Sequence, residues 1–177
     1  SYDDSWYMQT YPDLRARNLD GVPHYQDTGE AEGRDPGPAF SNTGYRMAYG
    51  PFEGSTLRHY LEQGQTQGNN PLPLFDGTLP APASGKHLLF FGHQARTRGF
   101  GAERCLLELL DRAIAAGFPP SVVLPQILNH DYLAALQARS HQVHVIPYGW
   151  VFGGVPPHPA TVERLADLIH RSGAVEV

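Results

Sequence analysis

Apolar positions recur in two different rhythms along this chain. From Leu88 onward, short apolar runs alternate with amphipathic stretches. Leu88–Phe91, Ser121–Leu124 and Val143–Ile146 are compact runs with the look of strands buried on both faces. Between the first two, residues from about Ala102 to Ala116 place Cys105, Leu106, Leu109, Leu110, Ala113 and Ile114 on one helical stripe, and Gly117 is a suitable stop. Asn129 is positioned to cap a second helix that runs through Arg139, with Tyr132, Leu133 and Leu136 inward. A third helix is predicted over about Thr161 to Arg171, with Val162, Leu165, Ala166 and Ile169 inward and Gly173 at its end. Ala174–Val177 then begins a fourth strand. Strands alternating with helices predict an α/β fold with a parallel sheet and right-handed crossovers. Cys105, on the apolar stripe, reads as core.

The first 75 residues follow another rhythm, and they repeat. His24 to Phe40 (HYQDTGEAEGRDPGPAF) returns as His59 to Phe75 (HYLEQGQTQGNNPLPLF). His-Tyr, two glycines, two prolines and the final Phe all recur. Upstream, Tyr7, Tyr11 and Pro12 return as Tyr45, Tyr49 and Pro51. Such self-similarity predicts small stacked units. Each unit reads as a short helix bearing Trp6 and Tyr7 in the first copy, a turn at Tyr11-Pro12-Asp13, a second short helix through His24-Tyr25, and a Gly/Pro-rich exit. Neither unit buries much alone, so Trp6, Tyr7, Tyr11, Tyr25 and Phe40 are expected to pack on each other and on the second copy. Residues 76–86 (DGTLPAPASGK) have the composition of a linker. The expected organisation is a repeat module over 1–75, a linker over 76–86, and an α/β domain over 87–177.

Candidate chemistry concentrates where the first strand meets its helix. The loop between them carries Gly92, Gly99 and Gly101. Glycines let a backbone approach a ligand closely, and a helix N-terminus favours an anion. The bland alternative is a loop whose glycines only permit a tight turn into the helix. A dinucleotide fingerprint is not formed, because Arg104 stands where the third glycine belongs and Leu124-Pro125-Gln126 offers no acid for a ribose. The absence of Gly-Lys-Ser/Thr excludes a P-loop. His93 follows the strand directly, the position from which a side chain points into a ligand crevice. Arg96, Arg98 and Arg104 bracket the loop and could neutralise phosphate, or serve as ordinary surface arginines. Glu103 could simply favour the helix dipole. After the third strand, Tyr148, Trp150 and Phe152 with Gly149, Gly153 and Gly154 form an aromatic loop on which a sugar or lipid head could stack.

Other histidines read as structural. His24 and His59 occupy equivalent repeat positions with no second ligand at metal-binding spacing. His141, His144 and His170 fall on predicted elements and look structural or solvent-facing. No Ser-His-Asp or paired-carboxylate signature is visible.

Composition narrows the classes. The 177 residues carry a net charge of −5 and no Lys/Arg cluster, against a nucleic-acid footprint. The single cysteine excludes an internal disulfide and fits a reducing compartment. No apolar run approaches the ~18 residues of a membrane span, and no secretory signal pattern opens the sequence.

One stretch, GFGAERCLLELLDRAIAAG from Gly99 to Gly117, resembles the first glycine loop and helix of GT-B retaining glycosyltransferases of the family 4 type, usually Gly-Gly-Ala-Glu-Arg followed by an aliphatic helix. Gly101, Ala102, Glu103 and Arg104 match, whereas Phe100 replaces the first glycine and Gly99 sits one place early. FFGHQARTRG resembles the strand-one exit of the same group, with His93 in the matching place, and VERLADLIHRSGAVEV resembles the helix and strand before a further ligand loop. The front half is similar to the tandem repeat, Tyr-Pro-Asp, His-Tyr, Gly, Glu-Gly-Arg-x-Pro, found ahead of such domains in bacterial polysaccharide-synthesis proteins. The resemblance implies a partial Rossmann-like sheet, the acceptor-side half of a longer enzyme. Such an enzyme transfers a sugar from a nucleotide-sugar donor to a glycan acceptor. Gly99, Gly101, Ala102 and Glu103 would lie near the donor diphosphate, and His93, Arg98, Tyr148 and Trp150 would meet substrate. It implies no cofactor beyond the donor, no metal, and a cytoplasmic chain or one peripheral at the inner membrane. The family's Glu-x7-Glu donor motif is absent, so residues 1–177 alone are expected to be inactive in transfer. Two other classes compatible with the residues are a non-catalytic interaction module, in which the repeats dock a partner, and a nucleotide-binding regulator.

Overall fold

The computed structural model describes residues 1–93, 101–149 and 156–174. They fall into two compact units, Ser1–Pro73 with Ile146–Arg164 and Leu74–Val145 with Leu165–Val177. The first division lies just ahead of Leu74, close to the expected boundary, and residues 146–164 group with the repeats.

In the first unit, α1 (Asp4–Thr10) and α2 (Pro12–Ala16) precede α3 (Gly21–His24), which runs into a π-helical turn at Tyr25–Gly29. The second copy reproduces this with α4 (Asn42–Tyr49), α5 (Thr56–His59) and a π turn at Tyr60–Gly64. The local bonds repeat as well. Asp3 Oδ1 caps α1 by accepting from Trp6 N at 3.0 Å, and Ser41 Oγ caps α4 by accepting from Gly44 N at 3.1 Å. Asp3 N donates to Pro36 O at 2.8 Å, and Ser41 N to Pro71 O at 2.9 Å. Tyr11 Oη accepts from Asp35 N at 2.8 Å, and Tyr49 Oη from Asn70 N at 2.9 Å. Each π turn is closed by a glycine in the left-handed region, Gly33 (φ 78°) and Gly68 (φ 74°), a conformation that costs other residues strain.

Helices this short do not persist alone in water. Aromatic packing holds them: Trp6, Tyr7, Tyr11, Tyr25, Phe40 and Tyr45 are all buried in one cluster with Leu14 and Leu57. This is the packing expected from the sequence. Tyr2 sits 5.4 Å from Tyr7 and 5.6 Å from Tyr25; Phe40 sits 5.3 Å from both Tyr45 and Tyr60. The aromatic that closes one copy thus packs on the tyrosine pair of the next. Polar bonds lock the copies together. A Glu30 carboxylate oxygen accepts from the N–H groups of Thr56 and Leu57 at the start of α5. Asn42 Nδ2 donates to Glu30 O at 2.8 Å, and Asn42 N donates to Asp35 Oδ1 at 2.7 Å. The copies differ in the bonds made after the π turn: Arg34 forks onto Asp13 at 2.8 and 2.9 Å and covers the Tyr11 ring, whereas its counterpart Asn69 donates to Tyr45 Oη.

The second unit is a four-stranded sheet ordered β1-β4-β3-β2, where β1 is Leu74–Asp76, β2 Leu88–Phe91, β3 Pro120–Leu124 and β4 Gln142–Val145. β2, β3 and β4 are parallel, as expected for an α/β fold. Helix α6 (Gly101–Ala115) links β2 to β3, and α7 (His130–Gln137) links β3 to β4. Asn129 caps α7, its Oδ1 accepting from Tyr132 N at 2.9 Å, with Leu133 and Leu136 buried. All five residues of β3 are buried, the consequence of a central position.

Four expectations need correction. The sheet is mixed, because β1 joins it antiparallel with Phe75 opposite Val143, where the sequence shows only the end of a repeat. The start of the expected linker is tied down: Gly77 N, Thr78 N and Leu79 N donate to His141 O, Gln137 O and Ser140 O. On α6 the buried stripe runs Glu103, Leu106, Leu110 and Ala113, so Cys105 and Leu109 are exposed. On α8 (Pro159–Ser172) Thr161 is buried while Val162 and Ala166 are exposed, because Thr161 Oγ1 accepts a buried bond from Trp6 Nε1 at 2.7 Å. The expected strand at Ala174–Val177 lies, beyond Ala174, outside the described residues.

Candidate functional site

At the exit of β2 stands Gly92, one of the loop glycines marked in the sequence, under a packing constraint the sequence alone does not show. Gly92 N donates to Val123 O at 2.8 Å, extending the parallel pairing one step beyond Phe91. A Cβ at Gly92 would collide with the Leu124 side chain and come within 2.9 Å of Leu106 Cδ2. Both leucines are buried, so a side chain at this position would force their ends to shift. His93 is the next residue and is exposed. Gly101 is the first residue of α6. Gly101 and Ala102 are exposed, and none of the described residues lies within 4 Å of a Cβ added at Gly101. A helix of 15 residues concentrates partial positive charge at this first turn. The N-terminus of α6 therefore stands at the C-terminal end of β2, the side on which open α/β sheets hold ligands.

Glu103 is placed differently from its neighbours. It turns to the buried face of α6 and is 5 % exposed. Its charge adds to the burial that pushes the Tyr132 phenol well above its ordinary range. Beyond β3, Gln126 and Ile127 are buried, two positions the sequence did not mark. Gly99 and Arg98 lie outside the described residues, as does Trp150. Tyr148, half-buried, belongs to the first unit, and the neighbouring Gly149 abuts the Thr10 side chain there. The expected site residues thus divide: His93, just past the end of β2, and Gly101, Ala102 and Glu103, at the start of α6, belong to the second unit, and Tyr148 lies in the first.

The histidines perform structural work. Tyr7 Oη lies 3.0 Å from His24 Nδ1, and Tyr45 Oη lies 3.1 Å from His59 Nδ1, the repeated role expected of repeated residues. His87, overlooked in the sequence, is buried with Nδ1 2.8 Å from Ser172 O and Nε2 2.9 Å from Ser121 Oγ. It fastens the end of α8 to β3. His144 is held down at about 4 by burial, reinforced by His87 and His141, so it stays neutral at physiological pH. In the first unit Asp35 is buried, and burial drives its carboxyl well above the ordinary range. The described residues contain no group of three or more His, Cys, Asp or Glu arranged to hold a metal ion. Among them, no helix is long and apolar enough to cross a membrane. Comparison with protein-family models, with curated proteins and with solved structures finds no match for this chain.

Proposed function

We propose that this chain is the acceptor-side part of a bacterial glycosyltransferase that moves a sugar from a nucleotide-sugar donor to a glycan acceptor. The observation that carries the reading is the β2–α6 junction. Gly92 leaves the sheet where a side chain would press on buried Leu124 and Leu106, and a helix of 15 residues starts at Gly101, whose Cβ position meets nothing among the described residues. A diphosphate at that helix N-terminus would be met by backbone N–H groups and by the helix dipole. In this reading Gly99 and the first turn of α6, Gly101 and Ala102, take the donor side with Glu103 buried behind them, and His93, Arg98, Tyr148 and Trp150 face the substrates. The residue pattern Gly101-Ala102-Glu103-Arg104, similar to that of family 4 type enzymes, supports the same reading.

The test uses the natural gene product. Release of nucleoside diphosphate is measured with a panel of nucleotide sugars, with and without glycan acceptors. The expected result is acceptor-dependent release that falls ~10²-fold in Gly101→Val, because the substitution displaces a positioned phosphate. Melting of the same variant should be unchanged, since the added side chain starts in open space. Absence of release with every donor, or full turnover in Gly101→Val, overturns the proposal.

A further inference from the structure

A second concavity lies within the repeat unit, along the line where the two copies meet. Its volume is about 600 Å³, the ordinary size of a small-molecule site. Tyr2, Val22 and Gln26 line it from the first copy, and Arg58, Leu61 and Glu62 from the second. Val22 and Leu61 are 45 % and 47 % exposed, a pair of large aliphatic groups left in water. Tyr25 also lines the groove; its buried hydroxyl finds no hydrogen-bond partner among the described residues. The groove is therefore half apolar wall and half planar polar groups, with charges of both signs.

That mixture selects among ligands. A strongly anionic ligand is disfavoured, because the lining sets two carboxylates, Glu30 and Glu62, against the one guanidinium of Arg58. An amphipathic peptide helix needs a groove that is apolar along its length, and an extended peptide needs a free strand edge; this helical module offers neither. A sugar ring presents an apolar C–H face and a rim of hydroxyls. The face matches Tyr2, Val22 and Leu61. The hydroxyls match the amide, guanidinium and carboxylate of Gln26, Arg58 and Glu62, which both donate and accept. We propose that the groove between the two copies is a carbohydrate subsite for a neutral sugar. Its assignment to the acceptor glycan rests on the function proposed above; the sugar site itself does not.

Saturation-transfer NMR on the 177-residue chain tests it, with the methyl glycosides of glucose, galactose, mannose and N-acetylglucosamine as probes. At least one should bind saturably in the millimolar range and weaken tenfold or more in Arg58→Gln and in Glu62→Gln. Both side chains are exposed, so the variants should melt like the parent chain. The site is overturned if no probe saturates, if binding ignores both substitutions, or if a mixed apolar-basic peptide binds there and no sugar does. Nucleoside diphosphate release reads the transferase proposal separately, so either can fail without the other.

Discussion

Tyr7 and His24 are joined by a 3.0 Å bond, and the pair is built again, 38 and 35 positions on, by Tyr45 and His59 at 3.1 Å. The two tyrosines are not equally committed. Tyr45 Oη also accepts from Asn69 Nδ2 at 2.9 Å, whereas Arg34, the counterpart of Asn69, turns to Asp13. Tyr7→Phe should cost about 1 kcal/mol, one ordinary hydrogen bond, and Tyr45→Phe more, since Asn69 then loses its acceptor. Denaturant midpoints followed by aromatic circular dichroism check the order.

Glu30 of the first copy caps α5 of the second. Glu30→Ala should destabilise the repeat unit by ~0.5–2 kcal/mol, the usual value of a lost cap, while Glu30→Gln keeps an acceptor and most of the stability. Amide exchange at Thr56 and Leu57 is the direct readout: it should accelerate in Glu30→Ala and stay near the parent rate in Glu30→Gln.

Gly92 and Gly101 separate packing from ligand chemistry. Gly92→Ala forces a methyl group against buried Leu124 and Leu106 and should cost ~1–3 kcal/mol. Gly101→Ala meets nothing and should be neutral or stabilising by up to about 1 kcal/mol. Thermal melts of the two variants side by side suffice.

Acid should act on the two units in opposite directions. His144 titrates at about 4 in the folded chain against 6.5 ordinarily. A base with a lowered folded value contributes its full stability above 6.5 and loses it as the pH falls toward 4, at most on the order of 3 kcal/mol. Asp35 runs the other way. Its folded value is raised, so the repeat unit is favoured at low pH and loses stability as the pH rises through and beyond the ordinary aspartate range. His144→Gln should blunt the acid loss in the sheet. Asp35→Asn, which keeps an acceptor for Asn42 N, should raise neutral-pH stability and flatten the profile of the repeats. Hydrogen exchange against pH resolves both units in one experiment.

Much of this architecture was legible where the signal is local. Leu88–Phe91 is an uninterrupted apolar run, Val122–Leu124 is another, and the paired His-Tyr, Gly and Pro positions announce the repeat. What escaped depends on partners distant in sequence. β1 is three residues at a sheet edge with Leu74 exposed, so no pattern marks it; Val143, 68 positions beyond Phe75, makes it a strand. Counting apolar residues on α6 favoured Cys105 and Leu109, but the buried face starts from a glutamate. Thr161 displaced Val162 from the interior because the Trp6 indole required an acceptor. At the candidate site, His93 and Gly101 were visible from their place between strand and helix. The constraint on Gly92 was not, since Leu124 and Leu106 supply it from other elements.

Tyr2, Phe40 and Phe75 occupy one series of positions, yet only the first two cover tyrosine pairs; Phe75 is spent on a strand. Each copy is thereby finished by a ring that belongs to the copy before it, like a roof tile whose lip is covered by its neighbour. A gene could gain or lose whole tiles without rewriting any interior. The number of such tiles is then free to change, and in this chain the series closes where Phe75 is taken into β1 opposite Val143.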